Sequence, residues 1–308
     1  MLSKFRNFLI KNKGINTIVN LPFNIFEDAY IDTSIYLIDN QLRDNYKILN
    51  FNKKEKVTEL KALHFAEVNL SKLQSPDFKL ILDSDVFDLY SKFTASNFKP
   101  LGEITESTQG LSGSAFSIVK GDVLSDYLFP FLAKGNVYNY ILLKESVIQT
   151  DLSRKKSLIK FYEAVPKVLI RRIINRQNRL SVGYTEERLV FKKDINPFIC
   201  TDIRFSTKFL FGLFANNFIS FLYIKLSSIA LKDDFRQTTL GELRKLPIPL
   251  VDSARQEPVI KCVDQILLLK KSDPSADTSA LEAEVDRLVY ELYGLTEEEI
   301  RIVEGVKA

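Results

Sequence analysis

The spacing of hydrophobic positions changes several times along the chain, and each change predicts a different element. In residues 3–12, SKFRNFLIKN, Phe5, Phe8 and Leu9 share one helical face, and Lys11, Asn12, Lys13 and Gly14 supply a basic last turn and a stop. Residues 15–21 and the run AYIDTSIYLID are rich in β-branched and aromatic residues and predict strands joined by the turn-like FNIFED. Residues 40–60 are polar and rich in Lys and Asn, which predicts a loop or weak edge strands and a domain boundary. Residues 83–93 carry acids in a first turn and apolar residues at helical spacing, and LGEITESTQGLSGSAF then reads as a Gly-, Ser- and Thr-rich loop.

From about residue 135 to 200 the pattern is one of short strands, VYNYILL, KVLIRRII, RLSVGYT and RLVFKK, separated by polar or glycine-containing turns. Residues 205–231 are apolar on nearly every side and predict helices buried in a core, with a break at Asn216 and Asn217. The prolines of LRKLPIPL force extended backbone. Beyond it, Ile260, Val263, Ile266, Leu267 and Leu269 form one stripe and Leu281, Val285, Leu288, Val289 and Leu292 a second, separated by the turn DPSADTSA. This predicts an antiparallel helical hairpin, closed by Gly294 as a C-cap and followed by a short helix with Thr296 and Glu299 as a capping box. The expected class is therefore α+β: an irregular sheet with buried helices in the middle and a helical hairpin at the end.

Composition narrows the function classes. Chain length, 308 residues with 45% apolar and 27% charged, allows about two domains with sizeable cores. The two cysteines, Cys200 and Cys262, have no CxxC or Cys/His company, so no disulfide framework or zinc site is indicated and a reducing cytoplasm is expected. No apolar run approaches the roughly 18 residues of a membrane span, so no membrane partner is expected. The net charge of +4 conceals segregation: residues 160–245 carry about +8 and residues 251–308 about −6.

Catalytic motifs are missing. The single histidine, His64, has no evident partner for a triad or metal site, and reads as structural. No GxGxxG, P-loop or GxSxG sequence occurs, and the glycines of GLSGSAF lack the flanking strand and Lys of a phosphate loop. The segment richest in usable chemistry is KVLIRRIINRQNRLSVGYTEER, where Arg171, Arg172, Asn175, Arg176, Gln177 and Arg179 crowd between strand-forming residues. Arg, Asn and Gln make bidentate hydrogen bonds to guanine and adenine edges, and Arg also neutralises phosphate. A solvated, Arg-rich turn has the same composition, and spacing leaves both readings open. A second cluster, KDDFRQTTLGELRK, offers Lys232, Arg236, Gln237, Thr238 and Thr239, either as a contact loop or as an N-cap by Thr238 or Thr239. Lys134 and Asn136, beside a glycine in LAKGNVYNY, add a weaker candidate for a backbone contact.

The order of the segments resembles the TaqI-like specificity domain that ends gamma-class DNA adenine-N6 methyltransferases and fused type II restriction-modification enzymes. LPFNIFEDAYIDTSIYLI looks like that family's late methyltransferase hairpin, F-x-x-A-x-V-x-T, here Phe26, Ala29, Ile31 and Thr33. LGEITESTQGL, LFPFLAKGNVYNYILL, FYEAVPKVLIRRI, LFGLFANNFISFLY, FRQTTLGELRKLPIPL and DRLVYELYGLTEEE follow in the family's order. The resemblance implies three parts: a remnant of a methyltransferase sheet at 1–60, a mixed α/β target-recognition domain at 61–250, and a spacer or docking hairpin at 251–308. It implies double-stranded DNA and a catalytic methyltransferase domain or chain as partners, and Phe26 as a stacking surface for a flipped adenine; a hairpin-core phenylalanine is the plainer alternative. The family's cofactor glycines and its (N/D)PP(Y/F) signature are missing here. The expectation is therefore no catalytic residue and no cofactor in this chain, S-adenosylmethionine belonging to the full enzyme. Two other readings stay open: a stand-alone, type I-like specificity subunit that recruits separate methyltransferase or nuclease chains, and an interaction protein that no longer binds DNA.

Overall fold

A computed structural model describes residues 8, 11, 14–22, 25–26, 33–51, 64–69, 84–94, 96–112, 117–120, 128–132, 137–142, 148–153, 156–175, 177–227, 230 and 236–305. The chain divides into two compact units, residues 1–88 and 89–308. The first unit is a four-stranded sheet of β1 (Gly14–Asn20), β2 (Ser34–Asp39), β3 (Asn45–Asn50) and β4 (Ala66–Asn69), in the order β2-β1-β3-β4. β1 runs antiparallel to β2 and parallel to β3. The polar run expected as a loop or weak edge thus contributes an interior strand. Its apolar content is small but alternates, and Tyr46 and Ile48 meet Ile15 and Ile18 in a core against which Val68 packs. The expected N-terminal helix lies outside the described residues apart from Phe8 and Lys11.

A helix, α1 (Ser84–Ser91), runs across the division as its acidic start predicts. In the second unit follow β5 (Phe98–Pro100), α2 (Leu101–Ile104), β6 (Thr105–Ser107), β7 (Ser117–Lys120), β8 (Leu128–Leu132), β9 (Val137–Tyr138), β10 (Ile141–Leu142), β11 (Ile148–Asp151) and α3 (Lys156–Glu163). Next come β12 (Lys167–Arg171), β13 (Val182–Thr185), β14 (Val190–Phe191) and β15 (Ile195–Cys200). The central sheet is antiparallel, in the order β13-β12-β15-β6, and a second has the order β14-β8-β11-β7. β12 reads VLI without alternation because both its faces are buried. Val168 and Ile170 join the larger core with Val182 and Phe198, whereas Leu169 joins Ile195, Phe129, Phe131, Tyr162 and Phe191 in a second core.

The larger core is built on helices. Ser206 caps α4 (Thr207–Ala215), and Asn216 ends it and caps α5 (Asn217–Leu226), its side-chain oxygen accepting from Phe218 N at 2.6 Å. These are the buried helices and the break that the apolar run predicts. No single described helix is long and apolar enough to cross a membrane; α4 and α5 together reach that length but are bent by 68°. After α6 (Leu240–Leu243), the proline-rich β16 (Pro247–Pro249) pairs with β5. The hairpin forms as α7 (Ser253–Ser272) and α8 (Ser279–Tyr293), with Gly294 left-handed at φ 63°, and α9 (Glu297–Glu304) has the expected capping box. On α7 the buried side is Gln256, Val259, Val263 and Ile266, and Leu269 is exposed, so the face is rotated from the expected stripe. Val259, Val263, Ile266, Val285 and Val289 belong to the same core as α4 and α5. A Cβ added at Gly212 of α4 would come within 2.6 Å of Val259 Cγ1, so that glycine sets the close approach of α4 and α7.

One buried charge makes this unit sensitive to pH. Lys167, at 0% exposure, donates from Nζ to Tyr162 O at 2.5 Å and to Ala164 O at 3.0 Å, which ties the end of α3 to the sheet. Burial, with Arg188 nearby, pushes its pKa down from 10.5 to about 7. Between these values the unfolded chain holds a proton that the folded one has released, so stability rises with pH, by at most ~1.4 kcal/mol per unit. Urea midpoints measured from pH 7 to 9 should climb, and Lys167→Met should flatten the climb. A flat wild-type profile contradicts this assignment.

Candidate nucleic-acid interface

The Arg-rich segment forms the turn that joins β12 to β13. Arg171, the last residue of β12, donates its N–H to Ser181 O at 2.9 Å, and Asn175 N bonds Arg179 O at 3.1 Å. Asn175 organises the turn from within: its Oδ1 accepts from Gln177 N at 3.0 Å and Arg179 N at 2.8 Å. Asn178 takes the left-handed conformation at φ 61°, which Asn tolerates better than most residues. Arg179 reaches inward, its Nη2 donating to Ala215 O at 2.8 Å at the end of α4. A carbonyl at a helix C-terminus is short of intrahelical donors and favours a cation.

The second predicted cluster lies directly alongside. Ile173 pairs with Gln237 in an antiparallel bridge, Ile174 N donates to Arg236 O at 3.0 Å, and Thr238 N donates to Arg172 O at 2.7 Å. Arg236 Nη1 bonds Asn178 Oδ1 across the two segments. Thr238 is 2% exposed and its hydroxyl faces Arg171 O at 3.4 Å, so it fastens the segments together. Thr239 rather than Thr238 caps α6. Tyr223 accepts from Thr239 N at 2.8 Å, and Glu242 accepts from both Tyr223 and Ser227, so the base of this segment is closed by hydrogen bonds.

The remaining candidates divide clearly. Gln177 is exposed, and Arg171 and Arg172 are half-buried. Among the described residues no side-chain hydrogen bond or ion pair engages Arg172 or Gln177, and Arg171 Nε is buried with no partner. Arg176, Lys134, Asn136 and Lys232 lie outside the described residues. Phe26, in the first unit, is 52% exposed; Ala29 and Ile31 of its motif lie outside the described residues. His64 is exposed.

Two lysines at the end of the RLVFKK run come to the same sheet end. Arg172 N donates to Asp194 O at 2.6 Å, which sets the β14–β15 turn, Lys192 to Asp194, beside the Arg-rich segment. Lys192 stands 5.7 Å from the centre of the Phe131 ring, and Lys193 is exposed. The KK pair after RLVF was a visible signal, but its position relative to Arg172 depends on sheet pairing.

Comparison with known proteins gives this region a family. A family model for the TaqI-like C-terminal specificity domain matches residues 130–248. A Methanocaldococcus jannaschii protein named, by inference, as a type II restriction enzyme and methyltransferase is 31% identical over 94% of this chain. The chain spans about a quarter of that protein, 26% of its length. Among solved structures, the type IIL restriction-modification enzyme MmeI in complex with DNA aligns over 97% of this chain and 46% of its own, at 11% identity and a TM-score of 0.54, a likeness of fold. The type IIG restriction endonuclease BpuSI aligns over 95% of this chain and 45% of its own, at 14% identity and a TM-score of 0.41. Residues 130–248, which hold both candidate reading segments, match the family model of the TaqI-like C-terminal specificity domain.

Proposed function

We propose that this chain is the part of a restriction-modification enzyme that reads a sequence in double-stranded DNA, and that the enzyme is an adenine-N6 methyltransferase. The observation that carries the reading is the Ile173–Gln237 bridge, which makes one surface of two polar segments more than sixty residues apart in the chain. Gln177, Arg171 and Arg172 can meet base edges or phosphates, and Arg176 is a further candidate by its residue type in the sequence. Asn175, Arg179 and Thr238 hold that surface in shape, and Arg236 joins the two segments.

Methyl transfer would require a donor pocket and a group that orients the target amine. The 308 residues contain neither the family's cofactor glycines nor (N/D)PP(Y/F), so the chemistry belongs to a catalytic domain or chain that uses S-adenosylmethionine. In this reading Phe26 stacks on the flipped base, which has lost its neighbours in the duplex. The test is fluorescence anisotropy of the chain on random duplexes across a salt series. The expected result is log-linear weakening with salt, with a slope of about −0.9 for each phosphate neutralised. Affinity that ignores salt, or no affinity, removes DNA reading and favours an interaction protein.

A further inference from the structure

The β14–β15 turn is fixed more firmly than an exposed basic turn requires. Gly110 N donates to Ile195 O at 3.0 Å, Leu111 N to Phe191 O at 2.9 Å, and Lys193 N to Leu111 O at 2.7 Å. Residues 110 and 111 thus lie along the turn as a short parallel bridge, Leu111 against Lys192. Leu111 is buried in the second core with Phe191 and Ile195, which anchors this segment from below. A Cβ at Gly110 would lie 2.1 Å from Lys192 O and 2.7 Å from Phe191 O, so only glycine permits this approach. On the other side, Arg172 N donates to Asp194 O at 2.6 Å. The backbone of the lysine turn is therefore clamped between the 110–111 segment and the start of the Arg-rich segment.

What this clamp presents is a cation. Lys193 is exposed, and among the described residues no hydrogen bond or ion pair engages its ammonium; the side chain of Arg172, whose backbone N–H bonds the residue after Lys193, is also unengaged. Asp194 is the acid of this turn, and its backbone carbonyl is the group that accepts from Arg172. An ammonium on a flexible stem gives a point charge without the planar fork that reads a base, and suits a phosphate.

We propose that Lys193 and Arg172 form a phosphate-binding site for the DNA backbone at the flank of the reading turn, and that Gly110 is its positioning residue. The proposal rests on the DNA-reading function above and adds a register contact: the reading turn faces the bases while this pair holds the strand beside it. Its energetic signature is loss of affinity on every sequence alike, because a phosphate carries no sequence information.

The test uses the full chain and the same salt series with four variants. Lys193→Ala should lower the magnitude of the salt slope by about 0.9, with an equal fold-loss on selected and random duplexes, and Lys193→Arg should restore the slope. Lys261→Ala, on the exposed side of α7, removes the same charge elsewhere and should leave the slope unchanged. Gly110→Ala should reproduce the Lys193→Ala loss while circular dichroism shows a folded chain; should it unfold, the surface variants at Lys193 decide alone. Wild-type binding with a steep slope that Lys193→Ala leaves unchanged overturns this site and spares the reading function. Absence of salt-sensitive binding by the wild type removes both.

Discussion

Replacing Asp286 by Ala is expected to destabilise the second unit by about 3 kcal/mol and to lower its melting temperature by roughly 6–12 °C. Asp286 stands on α8 and receives the break between α4 and α5. Its Oδ1 accepts from Asn216 Nδ2 at 2.5 Å and from Asn217 N at 3.2 Å, and its Oδ2 accepts from Asn217 Nδ2 at 2.9 Å. Burial holds its carboxyl above the usual carboxylate range, against the pull of the Asn217 N–H and the Arg179 guanidinium. Removing the carboxylate leaves three donors without an acceptor in a part-buried site, where an unsatisfied group costs more than a lost hydrogen bond returns. The consequence reaches the reading surface, because Ala215, the residue before the break, is the one whose carbonyl holds Arg179. Calorimetry on wild type and Asp286→Ala, with the salt-series binding repeated, checks both halves. A change in melting temperature under 2 °C would show that the helical hairpin does not support the break as described.

Replacing Gln177 by Ala is expected to weaken binding to the preferred duplex by roughly 1–3 kcal/mol, about 5- to 150-fold, with little change on random DNA. The turn that carries Gln177 is held through its backbone, by Asn175 Oδ1 on Gln177 N and Arg179 N and by the left-handed Asn178. The side chain is exposed and uncommitted, so its amide can form the bidentate pair that suits adenine. Substitution at an exposed side chain whose backbone does the structural work should leave stability within about 0.5 kcal/mol. Competition titrations with selected and random duplexes measure the difference. Equal loss on both would demote Gln177 to a backbone contact.

The helical hairpin and its caps were legible in the sequence because their determinants are local: helical periodicity, Gly294, and Thr296 with Glu299. The break at Asn216 was legible for the same reason. β3 was not read as an interior strand, because its position between β1 and β4 follows from pairing with β1 some thirty residues earlier, in a segment whose composition is polar. The sense of the α7 face was missed because Val259 and Gln256 are selected by partners in α4 and in the 204–206 turn.

For the site, composition picked out both polar segments but could not sort their side chains. Asn175, Arg179 and Thr238 have the same base-reading chemistry as Gln177 in isolation, yet the fold uses them to bond backbone. Lys193 escaped notice for the opposite reason: a lysine at a strand end is ordinary until Gly110 and Arg172 are found clamped around its turn.

Whether this chain reads DNA sequence is decided by recovering the duplexes it retains from a random pool and sequencing them. The expected result is a short enriched motif, with enrichment that collapses in Gln177→Ala. Retained duplexes with no shared motif would contradict base reading by this chain.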